Sequence, residues 1–360
     1  MKKILTVFLA IVMVLALGAC GDKSKVDAGM LAFCASTESL DDQPFNQLCW
    51  AGVETIASEY KLECENWTPA EDTTEARMAN VKDAVDKGAT AIVCAGKMYA
   101  EALCMAAEEY PSVYFIGIDI AEDDILDYVD AVPSNVTTIV FREEQAGYLA
   151  GYAAAKEGFN KLGFLGGDDI APVERYGSGF LQGVNDAAVE LGKEVEVRYT
   201  YAGQFHGDKK LTKEMEGWYE DGTQIVFACG GGIYTSVLEA ALNNNQYIIG
   251  ADEDQFKLGE GNDYNPFITS ALKNLQPAVE SALSAYLAGD FQTIAGQVVN
   301  YGLEDGDYVG LPTGDSWNMK IFTVEEYDKL KDSIMDGTIT VDDSTDKLPD
   351  GKNVKLKVIK

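Results

Sequence analysis

From Met30 onward the chain alternates short, continuously apolar runs with longer segments whose apolar residues recur every three or four positions. Continuous runs suit strands buried on both faces of a parallel sheet, and the periodic segments suit helices packed on it. The pattern predicts strands at Met30–Cys34, Ala91–Ala95 and Val113–Ile118, with a weaker one at Leu62–Trp67. Helices are predicted between them at Asn46–Ser58, Thr73–Asp86 and Ala100–Glu109. Val136–Phe141 is a further strand, leading into a helix at Glu143–Lys156. The alternation then restarts, with strands at Lys161–Gly166, Val195–Tyr201, Ile225–Cys229, Tyr247–Ala251 and Phe267–Ala271. The matching helices are Val173–Leu191, Lys209–Glu220, Tyr234–Leu242 and Leu275–Ala288. Repeated strand–helix units build doubly wound sheets, so two α/β lobes of like design are expected. Beyond them Val298–Tyr301 reads as extended, and Thr338–Val341 with Val354–Val358 as a small hairpin.

Two lobes of similar size leave a cleft, and domain interfaces are preferred ligand sites. Phe45 stands where the chain leaves the first strand and enters the first helix. Its ring has two readings: a staple packed against the helix one turn on, or a wall of the crevice at the carboxyl end of a sheet. Gly166-Gly167 and Gly230-Gly231-Gly232 also follow strands, but neither has the spacing of a phosphate-binding loop. Glycines there allow close approach of a ligand or of the opposite lobe.

The charge excludes one class of partner. A formal net charge of -31 makes nucleic acid a poor one. A single histidine, His206, removes the commonest general base and metal ligand. The 7 cysteines include no Cys-x-x-Cys pair, so neither zinc nor a dithiol motif is supported, and most read as small buried hydrophobes. No metal site and no cofactor is expected.

The N-terminus is a different kind of segment. Met1-Lys2-Lys3, the apolar run Ile4 to Leu17 and the ending Leu17-Gly18-Ala19-Cys20 form a signal-peptide pattern that resembles the bacterial lipobox. Residues 1–19 are then a lipoprotein signal peptide, Cys20 is the lipidated residue, and 20–28 a tether outside the membrane. Two or more acyl chains suffice for stable anchoring.

Five motifs together resemble the basic membrane protein family, the purine nucleoside receptor type of substrate-binding lipoprotein of ABC transporters. They are Asp42-Gln-Pro-Phe-Asn-Gln-Leu-Cys-Trp-Ala-Gly52, Phe141-Arg-Glu-Glu-Gln-Ala-Gly-Tyr-Leu-Ala-Gly-Tyr152, Lys161-Leu-Gly-Phe-Leu-Gly-Gly167, Gly179-Phe-Leu-Gln-Gly183 and Ile249-Gly-Ala-Asp-Glu-Asp-Gln255. The resemblance implies a type I periplasmic-binding fold, two doubly wound Rossmann-like lobes joined by three hinge crossings. The crossings are expected near Asn135–Thr138, Asn265–Thr269 and Asp290–Gln297. Lobe 1 would then hold 29–136 plus 268–290, lobe 2 would hold 137–267 plus 291–330, and 331–360 would be a C-terminal extension.

Carried over residue by residue, the resemblance places the base of a nucleoside between Phe45 and Phe205, one ring from each lobe. Asn46 would meet the base edge, and Asp119 would take a base N–H. Asp252 would accept from ribose hydroxyls, Lys273 would donate to them, and backbone near Gly230 and Gly231 would complete the wall. Three positions depart from the family pattern. Ser36 stands where an Asp contacts the base, Pro44 replaces a Ser, and His206 replaces an acidic residue. Ser36 removes a charged acceptor, which bears on which base is accepted.

The function implied is an extracytoplasmic, lipid-anchored solute-binding protein, not an enzyme. It would act as a monomer and deliver a purine nucleoside such as inosine, guanosine or adenosine to an ABC permease. The competing readings are a ligand sensor for a membrane signalling protein, and a binder of another planar or sugar-like solute.

Overall fold

The computed structural model describes residues 25–36, 40 and 44–359. The expected signal peptide, the lipidation at Cys20 and the start of the tether lie outside the described residues. Among the described residues, no helix is long and apolar enough to cross a membrane.

The first lobe begins β1 (Met30–Cys34), α1 (Pro44–Tyr60), β2 (Cys64–Trp67), α2 (Thr74–Asp86), β3 (Ala89–Ala95), α3 (Ala100–Glu109), β4 (Tyr114–Ile118), α4 (Glu122–Leu126), β5 (Val136–Phe141). The second begins α5 (Glu143–Glu157), β6 (Lys161–Gly166), α6 (Ala171–Leu191), β7 (Val195–Tyr201), α7 (Lys209–Glu220), β8 (Ile225–Cys229). It continues α8 (Tyr234–Asn244), β9 (Tyr247–Asp252) and β10 (Phe267–Lys273). Then follow α9 (Leu275–Leu287), β11 (Gln297–Tyr301), β12 (Val309–Gly310), α10 (Val324–Met335) and β13 (Val354–Val358).

The strands form two sheets, ordered β11-β5-β4-β3-β1-β2 and β12-β10-β9-β8-β6-β7-β13. Every pairing is parallel except that of β12 with β10. Five strands of each sheet repeat one order, β5-β4-β3-β1-β2 matching β10-β9-β8-β6-β7, so the lobes are two copies of one doubly wound design. This is the type I periplasmic-binding architecture. The central strands β1 and β8 carry unbroken apolar runs and β3 one broken only at Thr90, and all three are buried almost throughout, as parallel strands covered on both faces must be.

The hinge crossings fall later than expected. β5 stays in the first sheet to Phe141, β10 stays in the second to Lys273, and β11 returns to the first. Residues 137–141 and 291–301 therefore belong with lobe 1, and 268–273 with lobe 2. The chain changes lobe after each of these strands, because a strand that crossed at its start would forfeit its ladder hydrogen bonds. The crossings brace one another: Arg142 N–H donates to Tyr301 O at 2.9 Å and Asn274 N–H to Tyr308 O at 2.8 Å. Residues 331–360 are not a separate extension either. Val354–Val358 lies parallel to β7 as an edge strand instead of pairing with Thr338–Val341, which forms no strand. The free edge of β7 satisfies its backbone groups better than an isolated hairpin would.

Helices α5 and α6 touch backbone to backbone. A Cβ on Gly147 or Gly151 would lie 2.2 Å from the carbonyls of Tyr176 and Phe180, and one on Gly179 or Gly183 2.0 Å from those of Glu144 and Tyr148. Such small-residue pairs four apart let helices approach closely. The contact brings the start of α6 against the first hinge crossing.

Candidate functional site

Both sheets point the carboxyl ends of their strands at one cleft. In each lobe the strand order reverses between the first and third strands of the repeat, and a ligand crevice opens at such a switch point. All nine residues expected at the site line this cleft: Ser36, Phe45, Asn46 and Asp119 from lobe 1, and Phe205, Gly230, Gly231, Asp252 and Lys273 from lobe 2. Its non-atom space, counted with the open solvent at its mouth, is about 750 Å³.

The walls are set by local sequence. Pro44 is the first residue of α1, where its missing N–H costs nothing and its ring pre-sets the backbone. Phe45 follows, lining the cleft while also packing against the core. Phe205 lies against Gly167, where a Cβ would sit 2.5 Å from the ring. Gly96 and Gly230 follow β3 and β8, equivalent strands of the two lobes, at φ of 89° and 143°. Side chains rarely adopt such angles.

The floor is charged. Lys273 Nζ lies 2.6 Å from Asp119, 3.4 Å from Glu143 and 3.9 Å from Asp252, and over the rings of Phe45, Phe141 and Tyr176. Asp119 follows β4 and Asp252 ends β9, so the two carboxylates are equivalents in the two lobes. Both have left-handed backbone, φ 55° and 65°. That conformation costs roughly 1 kcal/mol or more, although Asp tolerates it better than most residues. Arg175 donates to Glu143 at 2.7 Å, and the Tyr176 hydroxyl donates to Asp252 at 3.3 Å. The second oxygen of Asp119 is buried and has no hydrogen-bond partner among the described residues. It can accept from a ligand.

Ser36 donates to Asn46 Oδ1 from its backbone N–H at 3.0 Å and from its hydroxyl at 3.1 Å. The cleft thus has aromatic walls and a charged floor.

Tyr176, Glu143 and Arg175 were not legible as site residues. Tyr176 sits on the apolar face of α6 and reads as core. Glu143 lies inside a quoted motif, yet nothing local marks it as the partner of a lysine far along the chain. His206 is exposed and does not line the cleft. Among the described residues no group could hold a metal ion. The six described cysteines are free, five of them buried.

Burial pushes the Asp119 carboxyl up to about 6 against the opposing pull of Lys273. Burial raises Asp252 likewise. Burial alone would lower Lys273, but Asp119, Asp252 and Glu143 outweigh it and hold the amine above the ordinary lysine range. Between the unfolded carboxyl pKa of ~4 and the folded value the native chain holds a proton that the unfolded chain has lost. This group's contribution therefore makes stability fall as pH rises from ~4 to ~6, and is level above. A carboxyl carbon-13 titration should place Asp119 near 6; a midpoint in the ordinary carboxylate range would contradict the burial argument.

The family model for PnrA-like ABC transporter substrate-binding proteins, Bmp, matches residues 31–345. A CD4+ T-cell-stimulating antigen of Listeria innocua is 30% identical, covering 93% of this chain and 98% of that protein. The ABC transporter nucleoside-binding protein BmpA of Lactococcus lactis is 28% identical, over 90% of this chain and 92% of that one. A solute-binding protein of Aeropyrum pernix K1, of known crystal structure, superposes with a TM-score of 0.71 at 24% identity, covering 87% of this chain and 92% of its own. That likeness concerns the fold.

Proposed function

The chain belongs to the PnrA-like, or Bmp, family of ABC transporter substrate-binding proteins, and on that premise we propose that it binds a purine nucleoside and hands it to a membrane permease. The observation that carries the reading is one cleft lined by an aromatic ring from each lobe and floored by Asp119, Asp252 and Lys273. A flat, neutral base needs only π faces, which Phe45 and Phe205 supply. Ribose hydroxyls need partners of both kinds, because a polar group buried unpaired costs about 1–3 kcal/mol. Asp252 accepts from them and Lys273 donates to them, while Asp119 accepts a base N–H. The relative from Lactococcus lactis, described as nucleoside-binding, supports the same ligand class.

Each lobe supplies one ring and one carboxylate, so only the closed cleft touches both faces of the ligand. Binding favours that form for this reason. Closure, rather than chemistry, is the output: the protein acts as a carrier and not as an enzyme. Cys20, through lipid, would hold it to the outer face of the cell membrane, working as a monomer.

The test is calorimetry on the Cys20→Ala chain, which leaves the membrane fraction if lipid is what holds it. Inosine, guanosine and adenosine are titrated beside free bases and sugars. Affinity of micromolar or better for a purine nucleoside is expected, corresponding to about 8 kcal/mol or more. Sugar binding with every nucleoside silent would refute the assignment.

A further inference from the structure

One carboxylate of the buried charge cluster does not line the cleft. Glu143 is 0% exposed, and neither it nor Arg175 reaches the lining. Each of its oxygens has one cation: Oε2 accepts from Arg175 Nε at 2.7 Å and Oε1 from Lys273 Nζ at 3.4 Å. Glu143 is the first residue of α5, directly after Arg142 and the first lobe crossing. The unpaired N–H groups of a helix start favour a negative charge there. A buried carboxylate is costly unless paired, and Arg175 already pairs this one. Neutralising Lys273 is not its task either, because Asp119 lies closer to that amine at 2.6 Å.

We propose that Glu143 is a positioning residue, which together with Arg175 keeps the Lys273 ammonium aimed at the ligand. The inference rests on the nucleoside reading above, in which Lys273 donates to ribose. A lysine head carries three N–H donors on a flexible four-carbon stem. Asp119 and Glu143 take two of them, and Asp252 at 3.9 Å is beyond hydrogen-bond length. Among the described residues the third donor is left for a hydroxyl, and the other two set its direction.

The lobes give the two acceptors different duties. Asp119 follows β4 of lobe 1, whereas Glu143, Arg175 and Lys273 stand on α5, α6 and β10 of lobe 2. When the cleft opens, Asp119 leaves with its lobe and Glu143 stays beside Lys273. The lysine is then ordered before the ligand arrives, and binding does not bear the entropy of fixing it. Arg175 in turn holds the carboxylate, through a guanidinium whose fork of donors is rigid.

The experiment takes whichever of inosine, guanosine and adenosine binds most tightly, and its 2′,3′-dideoxy form, which lacks the hydroxyls that Lys273 meets. Kd is measured by calorimetry for the wild type, Glu143→Gln and Glu143→Asp, with the dideoxy form read by displacement. Circular dichroism and thermal melting check each fold. Glutamine has one acceptor oxygen and cannot serve both cations; aspartate keeps the charge but is a methylene short. The wild type should prefer the ribonucleoside by more than about tenfold, since charge-assisted hydrogen bonds are lost with the hydroxyls. Each variant should bind it roughly three- to tenfold more weakly, the ordering cost of one long side chain. The dideoxy form should stay within about twofold of its wild-type Kd. Equal losses on both ligands would make Glu143 merely structural, and a folded variant with no loss would make it idle; either overturns the proposal. So does a wild-type preference below tenfold, even if neither variant folds. In all of these cases the nucleoside reading stands. Binding of no purine nucleoside by the wild type would overturn that reading, and the role of Glu143 with it.

Discussion

Lys273→Met should cost about 3–5 kcal/mol of unfolding free energy at pH 7, the usual penalty for removing one member of a buried charge cluster. Methionine roughly matches the lysine stem in volume, so packing is largely kept and the missing charge dominates. Lys273 is 3% exposed and is the cation shared by Asp119, Glu143 and Asp252. Without it these carboxylates face one another in a buried site, where Arg175 is paired with Glu143. They are then driven to take up protons. The loss should therefore be largest above about pH 6 and shrink on acidification, because protonation replaces the missing cation. Denaturant unfolding at several pH values reads both effects. A loss under 1 kcal/mol, or one independent of pH, would show that the cluster does not hold the floor together. Nucleoside affinity should fall in the same variant by about 30-fold or more, corresponding to the ~2–5 kcal/mol for truncating a buried charged partner.

The second large effect is expected at the two rings. Phe45→Ala and Phe205→Ala should each weaken nucleoside binding by about 1–3 kcal/mol, or roughly 5- to 150-fold, the range for losing one stacked aromatic face. The double variant should reduce binding to near the detection limit of calorimetry. Phe45 also packs against the core of lobe 1 and under Lys273, so its stability is measured in parallel and compared at temperatures where both proteins are folded. Phe205 rests on Gly167 beside the cleft and should cost binding with less loss of stability. Full affinity in both variants would end the sandwich even if a nucleoside is the ligand.

Most of the element pattern was legible because its causes are local. A strand covered on both faces must be apolar throughout, as β1 and β8 are, and a helix on a sheet must show its stripe, as α6 does. Local cues also put Phe45 where the chain passes from the first strand to the first helix. They left its ring evenly divided between staple and wall, and the motif resemblance tipped the reading. The hinge was misplaced because β5, β10 and β11 carry similar apolar signals whichever sheet they join. Sheet membership is a property of partners, which periodicity does not record. The edge position of Val354–Val358 was missed for the same reason: its pairing partner, β7, lies far upstream in the chain.

The sequence by itself determined a twofold run of strand and helix units, and through its motifs the family and the residues at the cleft. Those signals depend on neighbours a few positions apart, so one chain read in order contains them. Only the tertiary structure decided that Asp119 and Lys273, separated by 154 positions, share a proton-rich contact at 2.6 Å. It also decided that Ser36 donates to the Asn46 carbonyl from both its backbone N–H and its hydroxyl. Burial and distance set these energies, and both exist only once the lobes have folded and met.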